Sequence, residues 1–464
     1  MKARQPLAVR LFAPVDIASL VYFRIAFGAL MLIEVWRYFH YGWIARYYID
    51  PIFYFKYYGF GWVHPWPGDW MYVHFLALGV LAVCVMLGLW YRTAMALLFL
   101  GFTYVFLLDQ TNYLNHFYLI SLFTLIMTFA PAHRAFSVDA ARHPEIRADT
   151  APAWALWLLR AQMGIAYFYA GVAKLNGDWL RGEPMRIWLA NRTHFPIIGR
   201  LFTQEWMVYF FSYGGLLLDL CIVPLLLWRR TRPFAFAAAL VFHLTNAELF
   251  QIGIFPWFAL AATLLFFEPD WPRFRWLRAK LLRTRWASSP QVSGGALDTA
   301  GAVRSLRASE RFMLAAMAIY LGIQLLLPLR HFIYPGNVSW TEEGHRFSWH
   351  MMLRTKNAKA GFFATDPATG QTWEIDPAEH LTRRQAREMK TRPDMILQFA
   401  HYVARLKRAE GYPHIQVRAR IMASLNGRRP QLLVDPNVDL ASVRRSVLPA
   451  SWIISLTEPL RRDD

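Results

Sequence analysis

Lys174 ends an apolar run that opens near Pro152, within the stretch Tyr167-Phe168-Tyr169-Ala170-Gly171-Val172-Ala173-Lys174-Leu175-Asn176-Gly177-Asp178-Trp179. An ammonium in or beside hydrocarbon is costly, so such a lysine pairs, snorkels to the headgroups or gives up its proton. An uncharged lysine is a base. Three other polar positions sit comparably: Asn115-His116 opens one apolar run, His243-Leu244-Thr245-Asn246 lies late in another, and His331 follows a third. Each has a bland alternative. His116 could cap or bridge helices, Lys174 could snorkel beside Asn176 and Asp178, and His243 could make an interhelical hydrogen bond. Asp219, on an apolar face after Gly214-Gly215, reads as a helix-pairing carboxylate.

The elements that must carry these residues follow from composition. Of 464 residues, 56% are hydrophobic and only 17% charged, which excludes an ordinary soluble enzyme. Nine runs approach bilayer-spanning length: 18–36, 70–91, 93–108, 115–131, 152–175, 206–228, 233–250, 251–268 and 312–329. The fold class expected is therefore an α-helical polytopic membrane protein. The net charge of +19 would suggest nucleic acid in a soluble chain, but the basic residues gather in loops between runs and set topology. Lys2, Arg4 and Arg10 precede the first run, Arg134, Arg142 and Arg147 follow the fourth, and Arg273, Arg275, Arg278 and Lys280 open the loop after the eighth. The N-terminus is then cytoplasmic, as an uncleaved anchor, and the tail beyond Leu329 lies outside. With this topology Lys174, His116, His243 and His331 meet at one leaflet, the pattern of a site. The stretch 233–268 is barely long enough for two passes, so a broken or re-entrant hairpin is an alternative there, with Asn246, Glu248 and Gln251 at its midpoint.

Two units are expected: a transmembrane domain over 1–330 and an extracytoplasmic α+β domain over 331–464. In the second, alternating runs at 346–353, 360–365 and 371–375 predict strands, the last two joined by a turn at Asp366-Pro367-Ala368-Thr369-Gly370. A helix-period segment follows from about Thr382 to Glu410, broken or kinked at Pro393. A hairpin from Ile415 to Val434 turns at Asn426-Gly427. The aromatic loop 37–69 suits the headgroup level, and 287–309, with Ser288-Ser289-Pro290, suits a flexible connector. Cys84 and Cys221 each lie inside an apolar run and imply no disulfide. Haem would want facing histidine pairs mid-bilayer, and zinc a spaced ligand cluster; neither pattern is present, and no metal is expected.

The segment Tyr167 to Trp179 resembles the signature of the vitamin K-dependent γ-glutamyl carboxylase family, whose membrane part is called the HTTM domain. Collinear stretches agree: Phe23-Arg24 with Phe27-Gly28, Met86-Leu87-Gly88-Leu89 with Tyr91-Arg92, Asn115-His116, Ser137-Val138-Asp139, Leu216-Leu217-Leu218-Asp219-Leu220, Ser348-Trp349-His350-Met351-Met352 and Asp435-Pro436-Asn437-Val438-Asp439. The resemblance covers nearly the whole chain. It implies that Lys174 takes a proton from vitamin K hydroquinone (phylloquinol or menaquinol), that O2 converts the quinol to an epoxide through a strongly basic oxygen, and that this base removes a glutamate γ-proton so that CO2 adds. Lys174 and His116 would be catalytic. Asn115, Tyr167, Phe168 and His243 would bind the quinone, and Trp349, Arg354 and His345 the glutamyl peptide.

The chain departs from the animal pattern where Arg354 and Lys356 replace histidine and arginine, and where His345 replaces tyrosine. It also carries no cysteine pair suited to the luminal disulfide of the animal enzymes, and it stops before their propeptide-binding region. A bacterial cytoplasmic membrane is therefore expected. Two alternatives stand beside the carboxylase: a quinol epoxidase without protein carboxylation, and a non-catalytic quinone-binding or transport protein.

Overall fold

The computed structural model describes residues 6–196, 198–250, 252–273 and 305–460. Gln251, Lys2, Arg4, Arg275, Arg278, Lys280 and most of the connector expected at 287–309 lie outside the described residues. A helix stands on each of the nine apolar runs: α1 Ala18–His40, α2 Trp70–Leu87, α3 Tyr91–Leu108, α4 Asn115–Phe129, α5 Ala153–Lys174, α6 Glu205–Leu227, α7 Arg232–Phe250, α8 Phe255–Thr263 and α9 Ala308–Leu326. Among the described residues six are long and apolar enough to cross a membrane: α1, α2, α3, α6, α7, and α9 with its extension to Ile333. The other three fall short for identifiable reasons. α8 runs on only as a 3-10 turn to Phe266, which gives about 18 Å of rise against about 30 Å of hydrocarbon, so the second arm of the 233–268 hairpin is a half-length helix. α4 is likewise short.

α5 is long but less apolar because it faces protein. Arg160 donates to the carbonyls of Leu265 and Phe267 at 2.7 and 2.9 Å, Gln162 accepts from Tyr320 at 2.6 Å, and Tyr169 donates to the Leu325 carbonyl at 2.5 Å. Polar groups are tolerated at this depth only where they find such partners. α5 and α6 approach closely at Gly171, where a Cβ would lie 2.6 Å from Leu220 Cδ2 and 3.1 Å from its backbone nitrogen. At the opposite end of the bundle Arg24 and Asp139 hold backbone together. Buried Arg24 donates to the carbonyls of Ala132 (2.8 Å) and Phe136 (2.5 Å), and the Asp139 carboxylate accepts from the amides of Trp90 and Tyr91, holding the first turn of α3.

The C-terminal part folds around its own core. An antiparallel sheet has the order β2-β1-β3-β4, with β1 Lys356–Thr365, β2 Thr372–Ile375, β3 Gln416–Leu425 and β4 Gln431–Leu432. In β3 the alternate residues Val417, Ala419, Ile421, Ala423 and Leu425 are buried, the period of a half-buried strand. After α10 (Arg383–Met389), helix α11 (Pro393–Ala409) covers that face through Met395, Ile396, Phe399, Ala400 and Val403. The helix breaks where Pro393 cannot donate, and Pro393 becomes the first residue of α11. Asn426 and Gly427 both take positive φ, as a type I′ turn requires.

One expectation fails here. Residues 346–353 form no strand; they belong to an irregular segment in which Glu342, Phe347, Trp349 and Met352 all take positive φ. The alternation read from sequence comes from Phe347 and Trp349 turning into the membrane helices: Trp349 is fully buried, 5.1 Å from the Tyr118 ring of α4, and Phe347 lies 4.9 Å from the same ring.

The two parts are joined by buried polar contacts. Arg428 grips both oxygens of Asp178 at 2.6 and 2.7 Å, Asn426 donates to Asp178 at 2.8 Å, and Gln385 donates to the buried Asp109 at 2.9 Å.

Candidate active site

Lys174 is buried at the last turn of α5, and its Nζ lies 2.6 Å from Asp219 Oδ2 on α6. Both side chains are 6–7% exposed. The same amine donates to the Ala170 carbonyl at 3.2 Å and sits 5.3 Å from the Trp179 ring centre. The closeness of the helices at Gly171 is what lets the two charges meet. Asp219 thus pairs helices, as its apolar setting suggested, and its partner is the site lysine.

The pair stands in the wall of a cavity of about 530 Å³, within the usual range for a small-molecule site. Its walls are almost wholly apolar and come from α6 and α7, with Phe210 and Val241 also exposed on the outside of the bundle, so the cavity opens towards lipid. Its few polar groups converge: Lys174, Asp219, Tyr167, His243, Thr245 and Asn246. Tyr167 Oη lies 2.7 Å from His243 Nε2, and His243 Nδ1 is buried with no hydrogen-bond partner among the described residues.

Other expected residues lie elsewhere. Phe168 points away from the cavity and is half-exposed. His116 does not line it; its ring packs on Phe255 (5.8 Å), whose other contact is His243 (5.8 Å), so it stands one layer behind the wall. Asn115 accepts from Tyr113 Oη at 2.9 Å and donates to the His350 carbonyl at 3.1 Å, tying α4 to the irregular segment. His331 meets His350 edge to face, with ring centres 4.7 Å apart.

The irregular segment divides this cavity from a polar cluster above it. Met351 and Met352 line the cavity. Behind them His345 and Arg354 contact each other, Arg354 donates to Glu342 Oε2 at 2.7 Å, and Lys356 donates to the Trp340 carbonyl with Glu342 Oε1 3.9 Å away. Arg354 is thus engaged by a carboxylate of the chain itself. Burial, aided by Arg354 and His350, holds the His345 imidazole well below its ordinary range, and burial pushes the Lys356 amine down to about 7. His350 is buried beside His331 and His345 with neither ring nitrogen bonded among the described residues. Burial first, then the charges of His331, Arg354 and Lys174, push it down to about 3, so it stays neutral at physiological pH. Among the described residues no group of three metal-ligating side chains converges.

The HTTM domain family matches residues 12–271, and the lumenal domain of vitamin K-dependent gamma-carboxylase matches 309–459. The chain belongs to the vitamin K-dependent gamma-carboxylase family. No solved structure matches it. Membership makes it a membrane protein with an extracytoplasmic C-terminal part and a gamma-carboxylase-like function, and implies a vitamin K cofactor and a glutamate-containing substrate.

In this carboxylase-family chain the sequence reading missed two features. The Lys174 partner was visible only as an isolated intramembrane Asp219. His350 carried no signal beyond its place beside Trp349, because a lone histidine in a short loop does not announce its burial.

Proposed function

We propose that the chain is a vitamin K hydroquinone-dependent γ-glutamyl carboxylase and epoxidase, with Lys174 as the base that starts the reaction. The observation that carries this reading is the buried Lys174–Asp219 pair in the wall of an apolar cavity that opens to lipid. In this reading the pair reacts from its uncharged arrangement, with the shared proton on Asp219 and a free electron pair on Lys174 Nζ. Lys174 can then take a phenolic proton at Nζ while Asp219 holds its own.

A hydroquinone fits these residues. The walls suit an isoprenoid tail, and the unbonded Nδ1 of His243 offers one hydrogen bond to a ring oxygen. Bound quinol with O2 supplies the strong base that removes the glutamate γ-proton before CO2 adds. The chain's part is to orient the ring through His243, Tyr167 and Asn246, to keep water out with Phe210, Phe242 and Phe255, and to bring glutamate over the 342–352 segment. The N-terminus is placed in the cytoplasm and the membrane taken as bacterial, from the loop charges and the cysteine usage.

The ion pair between Arg354 and Glu342 favours a second reading, in which the quinol is oxidised and no protein glutamate is carboxylated. Incubating the purified protein with reduced vitamin K, O2, labelled bicarbonate and a glutamyl peptide distinguishes them. Epoxide and fixed label, both lost in Lys174→Ala, are expected. Epoxide alone selects the second reading, and neither product leaves a quinone binder or transporter.

A further inference from the structure

A second cavity, of about 520 Å³, lies on the outer side of the same irregular segment. It is bounded by the 57–60 loop, by Glu342 to Phe347, by the start of α11 and by the run 443–453. Its charges are unevenly matched. Arg445 is paired with Asp394 at 2.6 Å and Arg392 with Glu388 at 2.8 Å. Three arginines have no carboxylate partner among the described residues: Arg330, Arg346 and Arg444. Arg330 donates to the Arg346 carbonyl at 2.5 Å, and its buried Nε has no partner among the described residues. Arg346 reaches the Met395 sulfur at 3.8 Å and faces the Tyr113 ring at 5.9 Å. Arg444 is exposed at the rim.

Unpaired guanidinium groups in a concave site are suited to carboxylates, which they can grip in pairs. The backbone of the run 443–453 adds a second recognition device. The amides of Arg444, Arg445, Ser446 and Val447 make no hydrogen bond among the described residues, while Tyr334 anchors the run through the Val447 carbonyl at 2.6 Å. Alternate amides of an extended run share one edge, so these free donors offer a short edge along which a peptide can lie. Glu342, Glu343 and Asp394 also line the groove, but Arg354, the Ala450 amide and Arg445 engage them in turn, which leaves the arginines in excess, and the free amides favour a peptide over a lipid headgroup.

We propose that this groove docks an acidic, carboxylate-bearing peptide segment and so selects substrates with carboxylates beside the reacting glutamate. The proposal rests on the carboxylase reading for what the peptide is, but its test does not depend on turnover.

The probe is a fluorescein-labelled peptide of alternating Asp and Leu, which contains no glutamate, titrated by anisotropy against the full chain in detergent. Arg444→Gln is exposed and tolerates change; it is expected to weaken binding about tenfold, as is Arg346→Gln, the loss of one charge-assisted contact each. Arg408→Gln, exposed on α11 away from the groove, should leave binding unchanged. The same peptide with Asn for Asp should not compete. Equal binding by wild type and both groove variants overturns the proposal. So does displacement of the peptide by phosphatidylglycerol micelles, or by inorganic phosphate, as readily as by unlabelled peptide, since those results assign the arginines to a lipid headgroup or a free anion. A wild type that binds the probe, weakens in Arg444→Gln, and fixes no label in any glutamyl peptide keeps the groove and removes the carboxylase reading. A wild type that carboxylates an acidic peptide with a KM unchanged in Arg444→Gln and Arg346→Gln keeps the carboxylase and removes the groove.

Discussion

Replacing the two members of the Lys174–Asp219 pair separately and together tests whether the site is built as described. The pair is 2.6 Å long and both side chains are almost fully buried. Removing one member of such a pair leaves the other uncompensated and costs about 3–5 kcal/mol, whereas exchanging both for apolar residues of similar volume is close to neutral. The geometry further predicts an asymmetry. In Lys174→Met the Asp219 carboxylate loses the one hydrogen bond its oxygens make among the described residues, so the cost sits near the top of that range. In Asp219→Leu the amine keeps its hydrogen bond to the Ala170 carbonyl, so the cost sits near about 3 kcal/mol. The double variant should lie within about 1 kcal/mol of wild type. Denaturant unfolding in one detergent, followed by tryptophan fluorescence, gives the three differences. Losses that simply add in the double variant would refute the pairing. Epoxide formation separates chemistry from stability: all three variants should be inactive, and Asp219→Asn should lose about 10²–10⁴ in rate with quinone affinity little changed.

Gly171→Val drives a side chain into Leu220 and should cost about 1–3 kcal/mol while separating Lys174 from Asp219, so that epoxide formation falls more than thermal stability does. Asp178→Ala strands the buried Arg428 guanidinium and should cost about 3–5 kcal/mol, seen as faster amide exchange at 425–428. Lys356 has its proton affinity lowered mainly by burial, to about 7, against about 10.4 in an unfolded chain. The unfolded state therefore binds more protons between those values, and stability from this group rises with pH across that window and is lost as pH falls through it, by up to about 1.4 kcal/mol per pH unit. Unfolding midpoints measured from pH 7 to 10 should lose that slope in Lys356→Met. His350→Leu removes two ring nitrogens that have no hydrogen-bond partner among the described residues and should raise stability by about 1–3 kcal/mol, read as a higher unfolding midpoint.

The helices were legible because a bilayer imposes a length and a composition that a sequence displays directly. α5 is the instructive exception. Its Arg160, Gln162 and Tyr169 lower its apolarity because they bond to α9 and to the chain just beyond α8, and the same burial that obscures it as a span makes it the helix that can carry a lysine. The outer hairpin at 360–375 and the break at Pro393 followed from turn chemistry and the missing proline amide. What could not be read was adjacency. Lys174 and Asp219 each stood out as an intramembrane charge, but nothing in a linear pattern says that α5 and α6 are neighbours at the height where Gly171 lets them approach. His116 shares a leaflet with Lys174 but stands behind Phe255, outside the cavity wall.

The segment 342–352 escaped for a different reason, and that reason bears on function. Glycine marks a left-handed residue in sequence, but here Glu342, Phe347, Trp349 and Met352 occupy that region, each at a cost of about 1–2 kcal/mol. A regular strand would avoid the cost, and the alternating pattern would permit one. The strand is prevented by contacts on both faces: Phe347 and Trp349 against Tyr118, the Asn115 amide on the His350 carbonyl, and Glu342 on Arg354. Strain of this kind persists where surrounding structure over-determines it, and it collects where geometry serves a reaction. In this chain it lies in the thin partition between a lipid-facing cavity and an arginine-lined groove. A straight strand could not present Met351 and Met352 to one chamber and Glu342 and Arg346 to the other. On the proposed function, the fold therefore spends stability in the partition that a glutamate coming from outside would have to pass.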